Sequence, residues 1–231
     1  AHANYYDAEG HLHEVHLREE HALFRGPMKQ ANCLKCHPTA VGLEGAETAA
    51  RGETLFIELG CHGCHLAEGY ETLAKPHDIS IIGPSLRRIG AKVDPGWLIR
   101  WVRNPHTFRP RTRMPNFMLN DAQATQIAAF LLASTKDSSA AWLAEHPAPG
   151  VPSDPETIAR GKAVVDSVGC RACHALSPDE VAGQIGADKD IAPNLAAIAE
   201  KTDGRWLYHW VKNPRGYSDI ARMPSLRLSD D

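Results

Sequence analysis

The six cysteines of this 231-residue chain fall into three copies of one pattern: Cys33-Leu34-Lys35-Cys36-His37, Cys61-His62-Gly63-Cys64-His65 and Cys170-Arg171-Ala172-Cys173-His174. Two thiols on one turn followed at once by a histidine is the spacing for covalent haem attachment. The thiols form thioethers with the two vinyl groups, and the adjacent imidazole binds the iron as proximal ligand. A single match would also suit a thioredoxin-like redox pair. Three matches that use every cysteine, each with its histidine, leave little room for coincidence. Zinc sites want paired C-x-x-C units that close a tetrahedron, and a disulfide framework gives the histidines no reason to be there. The expectation is three covalently bound haem c groups, on Cys33/Cys36, Cys61/Cys64 and Cys170/Cys173. His37, His65 and His174 are the proximal ligands.

The second and third motifs lie in a longer repeat. An offset of 109 positions carries Cys61 to Cys170, and the same offset carries Arg51-Gly52 to Arg160-Gly161 and Gly60 to Gly169. It also relates Pro84 to Pro193, Trp97-Leu98 to Trp206-Leu207 and Trp101 to Trp210. Asn104-Pro105 maps onto Asn213-Pro214, and Arg113-Met114-Pro115 onto Arg222-Met223-Pro224. An ungapped match of this extent is a duplication. Four parts follow: a His-rich N-terminal segment with its own haem (1–50), a first copy (51–135), a Pro- and Ser-rich linker (136–156) and a second copy (157–231). One helical turn is expected around Trp142 within the linker.

The elements expected in one copy are short helices. Gly52 to Leu59 forms a helix ended by Gly60. Asp94-Pro95 caps a second helix that runs to Arg103 and stops before Pro105. Asn120 or Asp121 starts a third over 121–134, with Ile127, Phe130 and Leu131 at helical spacing. Asp121 corresponds to Asp230, so the second copy lacks this last helix within the chain. The expectation is a fragment, a chain disordered beyond this point, or a domain that borrows the helix from elsewhere. The fold class is therefore all-α, with an irregular or helical N-terminal segment in which Glu14–Phe24 reads as helix.

Composition narrows the function. A net charge of −3 excludes an obvious nucleic-acid binder. No stretch reaches the roughly 20 apolar residues of a membrane-spanning helix. A start at Ala1 fits the expectation of a processed product whose signal peptide is gone, and a recombinant start would look the same.

Each copy resembles the class I cytochrome c domain. The likeness rests on Gly52 and Phe56, Cys61/Cys64/His65, Gly83-Pro84, Met114-Pro115 and Phe130 in the first copy. In the second it rests on Gly161, Cys170/Cys173/His174, Ala192-Pro193 and Met223-Pro224. The resemblance implies that Met114 opposes His65 and that Met223 opposes His174. The alternative, a flexible core filler, is set against a shared Arg-Met-Pro context and an equal spacing from each haem histidine. The N-terminal segment, with His21-Ala-Leu-Phe-Arg-Gly-Pro before its motif, is similar to modules of multihaem c-type cytochromes. There a distal histidine comes from outside the motif, which points to His21, with His16 as the alternative.

The tryptophan pairs Trp97/Trp101 and Trp206/Trp210 read as packing against haem, with an electron relay as the alternative. Arg109, Arg111 and Arg113 read as a solvated loop, or as partners for propionates or for an acidic protein. The resemblance implies a tri-haem electron carrier on the extracytoplasmic side of a bacterial membrane. It is expected to serve redox partner proteins, or to be the cytochrome subunit of a membrane respiratory complex anchored by something outside residues 1–231. It is more a carrier than an enzyme. Two other readings stand beside it: an enzyme with an open site at the first haem acting on peroxide, nitrite or a sulfur compound, and a wire-like stack of haems between subunits.

Overall fold

The computed structural model describes residues 2–6, 12–16, 37, 39–70, 83–150, 153–180 and 192–228. The architecture is all-α, with one small hairpin at the N-terminus. In the hairpin β1 (His2–Tyr6) pairs antiparallel with β2 (Leu12–His16), His2 opposite His16 and Tyr6 opposite Leu12. The helix expected over Glu14–Phe24 is thus corrected for Glu14, Val15 and His16, which are strand. Aromatic and β-branched residues (Tyr5, Tyr6, Val15) favour a pleated pair once a partner strand is present. The rest of that stretch lies outside the described residues.

In the first copy α1 (Glu47–Glu58) presents Ala49, Gly52, Glu53 and Phe56 on its buried face. It ends before Gly60, whose φ of +69° is the left-handed conformation that glycine adopts without steric cost. Against it lies α4 (Asp121–Ser134), begun by a capping box between Asn120 and Gln123. The two backbones meet at Gly52, where a Cβ would stand 1.9 Å from the carbonyl oxygen of Gln126. Phe56, Tyr70 and Phe130 close the core with ring centroids 5.4–5.7 Å apart. Two helices complete the copy: α2 (Ile89–Lys92) and α3 (Pro95–Arg103). Asp94 caps α3 by accepting from Trp97 N at 2.8 Å, and Pro105 stops it.

A ten-residue helix, α5 (Lys136–Glu145), stands where a linker with a single helical turn was expected. The reason is tertiary. Trp142 is buried, edge-on to Tyr217 at 5.3 Å, and Ser138 Oγ donates to the Arg87 carbonyl at 2.6 Å. The helix thereby bridges the two copies.

The second copy repeats the elements: α6 (Pro155–Val168), α7 (Ile198–Lys201), α8 (Gly204–Lys212) and a short α9 (Pro214–Tyr217). Asp203 caps α8 through Trp206 N at 2.9 Å. Between the copies, Asp94 N donates to Lys201 O at 2.8 Å, Tyr217 OH to Arg88 O at 2.6 Å, and Asn194 Nδ2 to Phe108 O at 2.9 Å. Among the described residues no helix is long and apolar enough to cross a membrane.

Candidate functional site

Both described cysteine motifs are tight 3-10 turns entered from a left-handed glycine, Gly60 or Gly169. His65 N donates to Cys61 O at 3.0 Å, and His174 N to Cys170 O at 2.9 Å. The turn gathers both thiols and the histidine on one short piece of backbone. Cys61, Cys64, Cys170 and Cys173 are free of disulfides. Burial pushes the Cys61 thiol up to about 11, so at neutral pH it is a protonated thiol.

The histidines are prepared as ligands. His65 Nδ1 lies 2.8 Å from Pro84 O, and His174 Nδ1 lies 2.7 Å from Pro193 O. A carbonyl oxygen only accepts, so Nδ1 carries the proton and Nε2 is left with its lone pair. This is the outer-shell arrangement that orients a metal-binding imidazole. Burial lowers the pKa of His65, which keeps the ring neutral. The ring lies directly against Gly83, where a Cβ would come within 2.5 Å of Cε1.

The methionines are held in matching fashion. Trp101 Nε1 donates to Met114 Sδ at 3.0 Å, and Trp210 Nε1 donates to Met223 Sδ at 3.0 Å. Each donor is stacked on its neighbour, Trp97 on Trp101 at 5.2 Å and Trp206 on Trp210 at 5.0 Å. A tautomer-fixed histidine, a cysteine pair on its turn and an oriented thioether form a donor set that fits covalent haem with His/Met ligation.

Of the first motif only His37 is among the described residues. Cys33, Cys36 and His21 lie outside the described residues. His37 is exposed, and His16 ends β2. Just after His37, the Glu53 carboxylate accepts from Thr39 Oγ1 at 2.9 Å, Ala40 N at 3.0 Å and Tyr70 OH at 2.7 Å. Burial and the Glu53 carboxylate raise the Tyr70 pKa. This clamp fastens the N-terminal segment to α1.

Sequence reasoning assigned the tryptophans to packing and missed their N–H bonds to sulfur. The repeated spacing of 13 from Trp to Met (101 to 114, 210 to 223) was the available signal. It also missed Glu53, an acidic residue on the same face as Ala49 and Phe56.

Residues 49–135 match the family model for cytochrome c, and residues 1–66 match the family model for cytochrome c554 and c-prime. These matches support a c-type cytochrome. As an electron-transfer haem protein, such a cytochrome binds haem c covalently, and c-type cytochromes are typically extracytoplasmic. No curated protein and no solved structure matches the chain.

Proposed function

We propose that this c-type cytochrome carries three haems and passes single electrons between redox partners of a bacterial respiratory chain, in the periplasm or on the periplasmic face of the inner membrane. The observation that carries the reading is the duplicated geometry. The histidine–proline bond and the tryptophan–methionine bond recur 109 residues apart with lengths equal to within 0.1 Å. Haem iron supplies the chemistry, the exchange of one electron between ferric and ferrous states.

The residues of the chain supply the rest. Cys61/Cys64 and Cys170/Cys173 hold two haems, with His65/Met114 and His174/Met223 as axial pairs. Cys33/Cys36 and His37 hold the third, with His21 or His16 opposite. Two strong axial ligands leave no position for substrate, which favours relay over catalysis. Thioether sulfur favours ferrous iron and raises the potential, whereas bis-His sites sit lower. Electrons then run downhill from the N-terminal haem toward the two copies. The partners are redox proteins or neighbouring subunits of a membrane complex.

The test is mass determination with a reduced-minus-oxidised spectrum and a potentiometric titration. Three haems and two high-potential steps are expected. Met114→His is expected to lower one of those steps and leave the other. A colourless mature protein, or rapid uptake of an added small ligand by the protein as isolated, overturns the reading in whole or for that haem.

A further inference from the structure

The boundary between the two copies contains an exchange of lysines. Lys92, at the end of α2, places Nζ 4.9 Å from the ring centroid of Trp206 and 5.3 Å from that of Trp210. Its repeat counterpart, Lys201 at the end of α7, places Nζ 4.9 Å from the ring centroid of Trp97. Trp97 and Trp206 are themselves counterparts at the 109 offset, so each copy extends one lysine over the tryptophan stack of the other. Each stack contains the indole that donates to the axial methionine sulfur of its own copy. Each lysine therefore stands beside the haem site of the opposite copy.

This boundary is rich in cations. Burial, with the Lys201 charge nearby, pushes Lys92 down to about 7, and burial with Arg109 nearby pushes Lys201 down to about 8. Arg88 also faces this layer and spends its guanidinium on the Gly216 and Tyr217 carbonyls, at 3.5 and 3.3 Å. The nearest carboxylate of α7, Glu200, pairs instead with Arg100 at 3.4 Å. Tyr217, the remaining titratable group against Lys92, donates its hydroxyl to Arg88 O. Among the described residues no carboxylate pairs with either ammonium, and two half-buried cations packed on the tryptophan stacks call for anions. A haem carries two propionate carboxylates, and the site described above fits one haem in each copy.

Resting on the tri-haem reading, we propose that Lys92 and Lys201 are exchanged counter-ions. Lys92 pairs with a propionate of the haem on Cys170, Cys173 and His174, and Lys201 with a propionate of the haem on Cys61, Cys64 and His65. The charge of each copy thereby raises the potential of its neighbour's haem and ties occupancy of both haems to docking of the copies.

The test uses the mature holoprotein in a Met114→His background, where the one remaining high-potential step belongs to the second copy. Lys92→Met is expected to lower that step, so that the reduced-to-oxidised ratio at a fixed potential falls about tenfold. Lys92→Arg is expected to restore it. Lys201→Met in a Met223→His background is expected to do the same to the first copy. A second-copy step unmoved by Lys92→Met, or a fall that Lys92→Arg does not restore, overturns the exchange while leaving the tri-haem reading intact. Absence of covalent haem overturns both. Limited proteolysis between residues 146 and 154 gives a readout independent of redox. Faster cleavage is expected in Lys92→Met than in Lys92→Arg, and equal rates overturn the link between pairing and docking.

Discussion

In the first copy α1 is covered by α4, and the residues facing it are sealed: Ala49 is 0% exposed, Leu55 4% and Phe56 1%. In the second copy α6 has no buried residue, and the counterparts of Ala49 and Leu55, Ile158 and Val164, are 59% and 43% exposed. Gly52 touches the Gln126 backbone, whereas its counterpart Gly161 has nothing within 4 Å of a Cβ. Yet the histidine and methionine of the two copies are held by the same bonds at the same lengths. The ligand geometry thus belongs to short-range features: the turn, the Gly-Pro or Ala-Pro segment that follows, and the Trp–Met spacing. The helical layer behind supplies stability and leaves that geometry alone.

Paired substitutions press on this contrast. The largest difference is expected for Leu55→Ala against Val164→Ala. Removing a sealed leucine costs about 2–5 kcal/mol, while trimming an exposed valine stays within about 0.5 kcal/mol. Calorimetric unfolding of the two variants of the 231-residue chain measures both, and equal losses would show that α6 is covered after all. Next comes Gly52→Ala against Gly161→Ala. A Cβ at Gly52 must push backbone aside, for a loss of about 1–3 kcal/mol. At Gly161 the methyl meets open space and improves helix propensity, for a gain of about 0.4–1 kcal/mol. A change of sign between the two positions, read from their melting transitions, is the outcome that sustains the comparison.

The elements legible in the sequence are those fixed locally. The glycine-led cysteine turns, the Asp94-Pro95 start of α3 and the capped α4 all follow from residues a few positions apart. Elements fixed by distant partners are not legible locally. Lys136–Glu145 is Ser-rich and runs into prolines, so it reads as linker; it is helical because Trp142 docks on Tyr217. Val15 and His16 sit in a stretch that reads as helix as a whole, and they are strand by pairing with residues 3 and 2. The crossing of Lys92 to Trp206 joins residues in different copies, and no local pattern announces it. The tryptophans were recognised as a pair, but their sulfur acceptors lie on another segment of the same copy.

Local features should cost the same in either copy, whatever lies behind the helix. Asp94→Ala and Asp203→Ala each remove a carboxylate that accepts from an indole-bearing residue's backbone N–H, at 2.8 and 2.9 Å. Each is expected to cost about 1 kcal/mol. Helix loss followed by circular dichroism through chemical denaturation checks this. A markedly larger cost at Asp203 would mean that the less covered copy depends on its caps.

The smallest effect lies at the sulfur. If Met114 and Met223 are the axial ligands proposed above, donation from Trp101 Nε1 or Trp210 Nε1 draws electron density away from the thioether, weakens its support of ferric iron and raises the potential. Trp101→Phe and Trp210→Phe keep an aromatic ring in each stack and remove only the donor. The bond is neutral and its acceptor soft, so its net worth is about 0.5 kcal/mol, or roughly 20 mV for one electron by ΔG = −nFΔE. Potentiometric titration is expected to show both high-potential steps falling by that small amount, each in its own variant. Equal falls would show that the covered and uncovered copies tune iron alike. A fall confined to the first copy would show that the layer formed by α1 and α4 does reach the ligand, and the separation between scaffold and site would then fail.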